Sequence, residues 1–165
     1  MPHGNATKSK LTELAGQFNT LHLATHGLLD IDPRRSHIVL APKGEGELTC
    51  REIMGMPGLF RAKNILVTLS ACETAVEKDP QKAGRELTSL SEAFKRVGVP
   101  TIVATLWPVC DVSTAVLMKD FYLNLKNTKA GMLEALRQAQ IKMLRSGEYA
   151  DPFFWAPFIL IGDWR

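Results

Sequence analysis

Two short stretches carry the residue types that could do covalent chemistry. One is LSACETA, residues 69–75, built around Cys72; the other is LHLATHG, residues 21–27, with His26 46 positions before that cysteine. A cysteine attacks as its thiolate, and a neighbouring imidazole is the usual means of lowering its pKa. The leaving amine of a peptide needs a proton, which an imidazole supplies near neutral pH. Gly27 matters for a backbone reason: without a Cβ it lets a substrate carbonyl approach its N–H, and such donors stabilise the developing oxyanion. His26-Gly27 at one strand end and Ala71-Cys72 at the next therefore describe an acyl-transfer site. A lone cysteine after an apolar strand is also read as a small buried hydrophobe, and that reading is kept for Cys50 and Cys110. A lone histidine is more often structural, the reading for His3 and His37. His22 and His26 stand four apart, which on a helix would suggest a metal pair. The local sequence reads as strand, with His22 buried mid-strand and His26 at the tip on the same face. No metal and no cofactor is expected.

These residues need elements to position them. Leu11, Leu14 and Phe18 recur at helical spacing and predict a first helix over residues 9–17, ending near Gly16. A short apolar strand follows over residues 18–25. The segment SHIVLAPKGEGELTCREI reads as a hairpin with its turn at Lys43-Gly44-Glu45-Gly46. Residues 64–71, NILVTLSA, are nearly continuously apolar, as in a strand covered on both faces. Leu87, Leu90, Phe94 and Val97 then predict a crossover helix closed by Gly98. TIVATL, residues 101–106, is a third buried strand. Asp111 and Ser113 are candidate caps of a helix that turns Met118, Phe121, Tyr122 and Leu125 inward. Met132, Leu136, Ala139 and Met143 mark another helix, closed at Ser146-Gly147. An aromatic loop over residues 152–157 leads into a last strand at Phe158 to Ile161. This alternation indicates a mostly parallel α/β sheet. In such sheets ligands bind beyond the carboxyl ends of the strands. His26-Gly27, Cys72 and the Trp107 to Asp111 segment all arrive at that edge. Trp107 and Trp155 line a pocket there or pack the core. The loop over residues 75–85 is either a solvated connector or a mobile activation loop.

Composition narrows the classes. A chain of 165 residues, 45% hydrophobic, fits one domain with one substantial core. No apolar run reaches the roughly 18 residues of a membrane span, and MPHGNATKSK has no apolar secretory stretch, so a cytoplasmic protein is expected. The net charge of +3 is dispersed, with pairs such as Arg34-Arg35 rather than a basic stripe, which argues against nucleic acid. Three cysteines without C-x-x-C spacing argue against both a disulfide framework and a structural zinc site. Phosphate-loop and dinucleotide fingerprints are absent.

LHLATHG, LVTLSACETA, IVATLWPVCD, FYLNL and DPFFWAPFILIGD, in that order, resemble the C-terminal catalytic part of the CHAT domain family. These are caspase-related cysteine peptidases often found beside tetratricopeptide repeats. The resemblance covers about residues 5–163. Ala-Cys with a histidine about 50 residues upstream matches the caspase spacing, although Ser70 and Glu73-Thr74 depart from the caspase residues around the cysteine. The resemblance implies a caspase-like three-layer α/β sandwich, with Cys72 as nucleophile and His26 as its proton-transferring partner. It also implies an oxyanion hole from the backbone amides of Gly27 and Cys72. WPVCD is similar to a separase segment whose aspartate binds a basic P1 side chain, which here is Asp111. The rival reading is that Asp111 only caps the helix after it. By the same resemblance, the family's first strands precede residue 9, so residues 1–165 are expected to form a single domain truncated at its N-terminus. The strand ending at His26 would then carry an unpaired edge. Two functions follow as expectations. One is a cysteine endopeptidase acting on protein or peptide substrates after Arg or Lys. The other is a non-catalytic or partner-activated module docking through that edge. Its expected partners are a second copy of the chain or a regulatory protein such as a tetratricopeptide-repeat region.

Overall fold

The computed structural model describes residues 6–14, 17–28, 32, 34–40, 46–56, 66–73, 90–127 and 131–164, and of residues 26, 28 and 71–73 it describes the backbone alone. Helix α1 is Lys8–Leu14, followed by strand β1, Thr20–Leu28. The hairpin β2, His37–Val39, and β3, Glu47–Thr49, comes next, then α2, Cys50–Met54. Strand β4 is Leu66–Glu73. Helix α3 comprises the helical residues 90–96, and β5 is Thr101–Thr105. The chain continues through α4, Asp111–Asn127, α5, Gly131–Leu144, the single turn α6, Pro152–Trp155, and β6, Phe158–Gly162.

The strands form one sheet in the order β3-β2-β1-β4-β5-β6. β1, β4 and β5 run parallel, β6 closes one side antiparallel to β5, and the hairpin sits at the other side. The four longer strands thus make the mostly parallel sheet of a caspase-like α/β sandwich. Alternation along the strands explains the layers, because successive side chains leave opposite faces. Val67, Leu69, Ile102 and Ala104 join Cys50, Ile53, Leu90 and Phe94 in one core beneath α2 and α3. Leu66 and Val103 point the other way and join Leu117, Phe121, Leu136 and Met143 under α4 and α5. Phe94 and Phe121 are fully buried, one in each core. Side chains of this kind contribute roughly 1.5–3 kcal/mol apiece when taken out of water.

The local signals mostly act as the residues predict. Gly98, at φ 100°, ends α3 as the left-handed C′ residue. The Gly98 amide donates to Lys95 O at 3.0 Å and the Val99 amide to Phe94 O at 3.1 Å, the paired bonds of a Schellman motif. The hairpin forms as expected, although its turn at residues 41–45 lies outside the described residues. So do Leu87 of the crossover helix, His3 and the connector at 75–85. Three local expectations are corrected. Phe18 is exposed, because α1 ends before it and the chain passes it on the way into β1. TCREI is not a continuation of the hairpin but a helix start. The Thr49 hydroxyl accepts from the Glu52 amide, and the Glu52 carboxylate accepts from the Thr49 amide, a capping box. Finally, the aromatic loop contains the turn α6, capped by Asp151, whose carboxylate accepts from the Phe153 amide at 2.8 Å.

Gly162 ends β6 at φ +106°, and a Cβ there would stand 2.0 Å from Pro100 O. Both the backbone region and the contact demand glycine. Gly162→Ala is expected to lower the unfolding free energy by about 3 kcal/mol, read as a shifted urea midpoint with an unchanged slope. Among the described residues, no helix is long and apolar enough to cross a membrane.

Candidate active site

The sheet brings the two sequence-predicted residues together. β1 and β4 run parallel over eight paired positions, and in that register His26 stands directly opposite Cys72, with Gly27 opposite Glu73. Adjacent parallel strands lie about 4.8 Å apart, so the two residues occupy neighbouring backbone positions at the same level of the sheet. Both are near the carboxyl ends of their strands, where an open parallel sheet presents its loops. β4 runs through Cys72 to Glu73, so the cysteine stands at the end of its strand, where the sequence places it. Gly27 is buried and pairs on its other side with Ile38 of β2.

By strand alternation, positions 26 and 72 share parity with His22, Thr68 and Ser70. The described members of that row, His22, Thr68 and Ser70, lie on the α4 side and carry polar groups where the opposite row carries Val67 and Leu69. His22 Nε2 lies 2.7 Å from Ser70 Oγ, and His22 Nδ1 lies 3.1 Å from the Tyr122 hydroxyl. Tyr122 in turn lies 2.9 Å from Thr68 Oγ1. The His22 and Tyr122 rings also touch, with centroids 5.7 Å apart. Thr68 and Ser70 are buried. His22 itself is not the buried mid-strand residue expected; it keeps an exposed edge while both ring nitrogens are engaged. Its surroundings still desolvate the ring enough to hold its pKa below the ordinary imidazole value, and burial pushes the Tyr122 phenol up.

Asp111 is the first residue of α4 and is exposed. It is not the cap. Cys110 occupies that position: its carbonyl accepts from the Thr114 amide at 2.9 Å and from the Ser113 hydroxyl at 3.0 Å. Backbone amides of Ser113 and Val112 point at the Cys110 thiol and draw its pKa below the ordinary value. Asp111 has no ion-pair or hydrogen-bond partner among the described residues. Trp107, after β5, donates from its indole to Phe153 O at 3.2 Å, which ties the segment before Asp111 to α6. Trp155 packs against the α4–α5 core and donates to Ala150 O at 3.1 Å. His37 lies in β2, 3.1 Å from Arg35 O and 3.6 Å from Glu47, in keeping with its structural reading. Cys50 is buried, and burial pushes its thiol up to about 11, the behaviour of an inert core cysteine. Among the described residues, no group of three His, Cys, Asp or Glu side chains could hold a metal ion.

Comparison with known proteins bears on the chain's family. The chain is 24% identical over 194 residues to tetratricopeptide repeat protein 28 of mouse, and equally to its human counterpart. The match takes in 96% of this chain and 8% of each relative's length, so the chain spans a small part of the curated proteins it matches. Residues 3–163, nearly its whole length, match the CHAT domain, and the chain belongs to that caspase-like family.

Proposed function

We propose that the chain is a cysteine endopeptidase that uses Cys72 as nucleophile and His26 as general base and acid. The observation that carries this reading is the register of β1 and β4, in which His26 and Cys72 are direct cross-strand neighbours. In the proposed reaction the thiol proton passes to the imidazole and the thiolate sulfur attacks the scissile carbonyl carbon. The oxygen takes up the electron pair and is met by the amides of Gly27 and Cys72. Collapse of the tetrahedral species expels the amine, which takes the proton from His26, and leaves a thioester. Water, deprotonated by the same imidazole, hydrolyses the thioester and frees the thiol. The Asp111 carboxylate would receive an Arg or Lys at P1 through a charge-assisted hydrogen bond. Its exposure and its lack of a partner among the described residues support that role.

The test is intact-protein mass spectrometry after exposure to acyloxymethyl ketone peptides carrying Arg, Asp or Leu at P1. The expected result is one adduct, on Cys72, formed fastest with the Arg peptide. Failure of a folded chain to form any adduct would overturn the reading.

A second reading has its own observation. Among the described residues, β1 pairs with β2 at Gly27 and Leu28, and no strand pairs with Thr20–His26 on the side away from β4. Such an edge can accept an added strand. We infer that a second copy of the chain, or a tetratricopeptide-repeat region like those named in its relatives, docks there with or without turnover. Under this reading light scattering at high concentration should show a dimer, and a monomer would count against self-pairing.

A further inference from the structure

His22 is a titratable residue on the same sheet face as the site, unused by the proposed reaction, and the structure engages it at both ring nitrogens. The chain of contacts runs Thr68, Tyr122, His22, Ser70, with steps of 2.9, 3.1 and 2.7 Å. It joins three elements: β1 through His22, β4 through Thr68 and Ser70, and α4 through Tyr122. β1 and β4 carry His26 and Cys72, and α4 begins at Asp111. Ser70 lies two residues before Cys72 on the same strand, a separation of about 6.6 Å by the rise of a β-strand. The relay is therefore the floor immediately below the level at which the chemistry is proposed.

We infer that His22 is a positioning residue whose hydrogen-bond relay locks helix α4 to both strands and aims the Ser70 hydroxyl toward the level of Cys72. This rests on the peptidase reading for its consequence, but the relay itself is a property of the fold. A neutral imidazole has one donor and one acceptor nitrogen, so the relay has a direction. In the direction inferred here, the Thr68 hydroxyl donates to the Tyr122 oxygen and the Tyr122 hydroxyl donates to His22 Nδ1. His22 Nε2–H then donates to Ser70 Oγ. Each hydroxyl hydrogen below is consumed, and that of Ser70 is left free to donate toward the level of Cys72, where a bridging water would carry it to a thiolate. The groups facing His22 from the packed elements are the hydroxyls of Tyr122, Thr68 and Ser70. No charged side chain among the described residues pairs with it, so nothing there favours a protonated ring. The desolvation already noted favours its neutral form.

Sequence spacing gives no hint of this, since His22 and Tyr122 are 100 positions apart. The arrangement also explains why this row of β4 is Thr-x-Ser and not apolar like its opposite face. A hydroxyl inside a sheet face is costly unless satisfied, and here each one is.

Two measurements test it without requiring turnover. Nitrogen NMR of the His22 ring should show the Nε2-protonated tautomer; an Nδ1-protonated ring would overturn the inferred direction. The rate of Cys72 alkylation by iodoacetamide, followed against pH by peptide mapping, reads the thiolate. Tyr122→Phe keeps the ring and its packing but breaks the relay, and Ser70→Ala removes its end. Each is expected to slow alkylation at neutral pH at least fivefold and to move the profile to higher pH, while the melting temperature confirms folding. His22→Gln, which keeps a donor and an acceptor, should retain more reactivity than His22→Phe. Unchanged profiles in Tyr122→Phe and Ser70→Ala would overturn the proposal. If the profiles shift while the unaltered chain cleaves no peptide and takes no ketone probe, the relay stands and the peptidase reading falls.

Discussion

Cys72→Ala is expected to lower kcat/KM for an Arg-bearing peptide amide by at least about 10⁴-fold, since removal of a nucleophile leaves only binding and the oxyanion donors. His26→Ala should cost nearly as much at neutral pH, because the thiol then loses its base and the leaving amine its acid. The two losses should not add. Residues acting as one unit fail together, so the double variant should resemble the worse single one. The register supplies the reason: residues opposite one another in neighbouring strands are held at one level by the sheet ladder. Steady-state kinetics on the four proteins checks this. An His26→Ala chain that retains most of its activity would mean that some other group moves the proton.

The second large effect is expected at the start of α4. Asp111→Asn keeps the shape of the side chain and removes its charge. It should lower kcat/KM for Arg at P1 by roughly 10²-fold, the scale for truncating one partner of a desolvated charge pair. A neutral P1 peptide should be cut equally well by both proteins, so the Arg preference collapses instead of the activity. The helix itself should be indifferent, because Cys110 and not Asp111 occupies the capping position. A substitution there that changed the melting temperature and left P1 preference alone would return Asp111 to a purely structural role.

Much of the frame is legible in the residues themselves. NILVTLSA can be placed because continuous apolar character over a strand's length means burial on both faces, and β4 has a core on each side. The helical stripes of α4 and α5 are legible for a related reason: Phe121, Leu136, Ala139 and Met143 recur with the helix period and all are buried. The His26 and Cys72 pairing is legible only as two strand ends; their direct opposition depends on register, which no local pattern encodes. Other features are hidden for distinct physical reasons. Thr49 and Glu52 stand at capping-box spacing, but Leu48 and the β-branched Thr49 make the segment read as strand. Asp111 and Ser113 are good capping types, whereas a thiol is a poor one, so nothing local singles out Cys110. The His22 relay joins residues distant in sequence through tertiary contacts alone. The direction of β6 is equally tertiary: the apolar run at Phe158 is the same read up or down the sheet, and only pairing with β5 makes it antiparallel.

The short pairing of β1 with the hairpin has a thermodynamic consequence. Over most of its length the strand that bears His26 is held by the β4 ladder on one side, and no described strand pairs with it on the other. Whatever completes that ladder narrows the fluctuations of the strand and so of the level at which His26 meets Cys72. Edge occupancy and site order are then linked equilibria. Linkage is reciprocal: a substrate that fits the ordered site must tighten the hold on the edge partner by the same factor that the partner tightens the hold on substrate. Under the proposed docking and peptidase readings, a sheet edge so close to the cysteine would be an input as well as a margin.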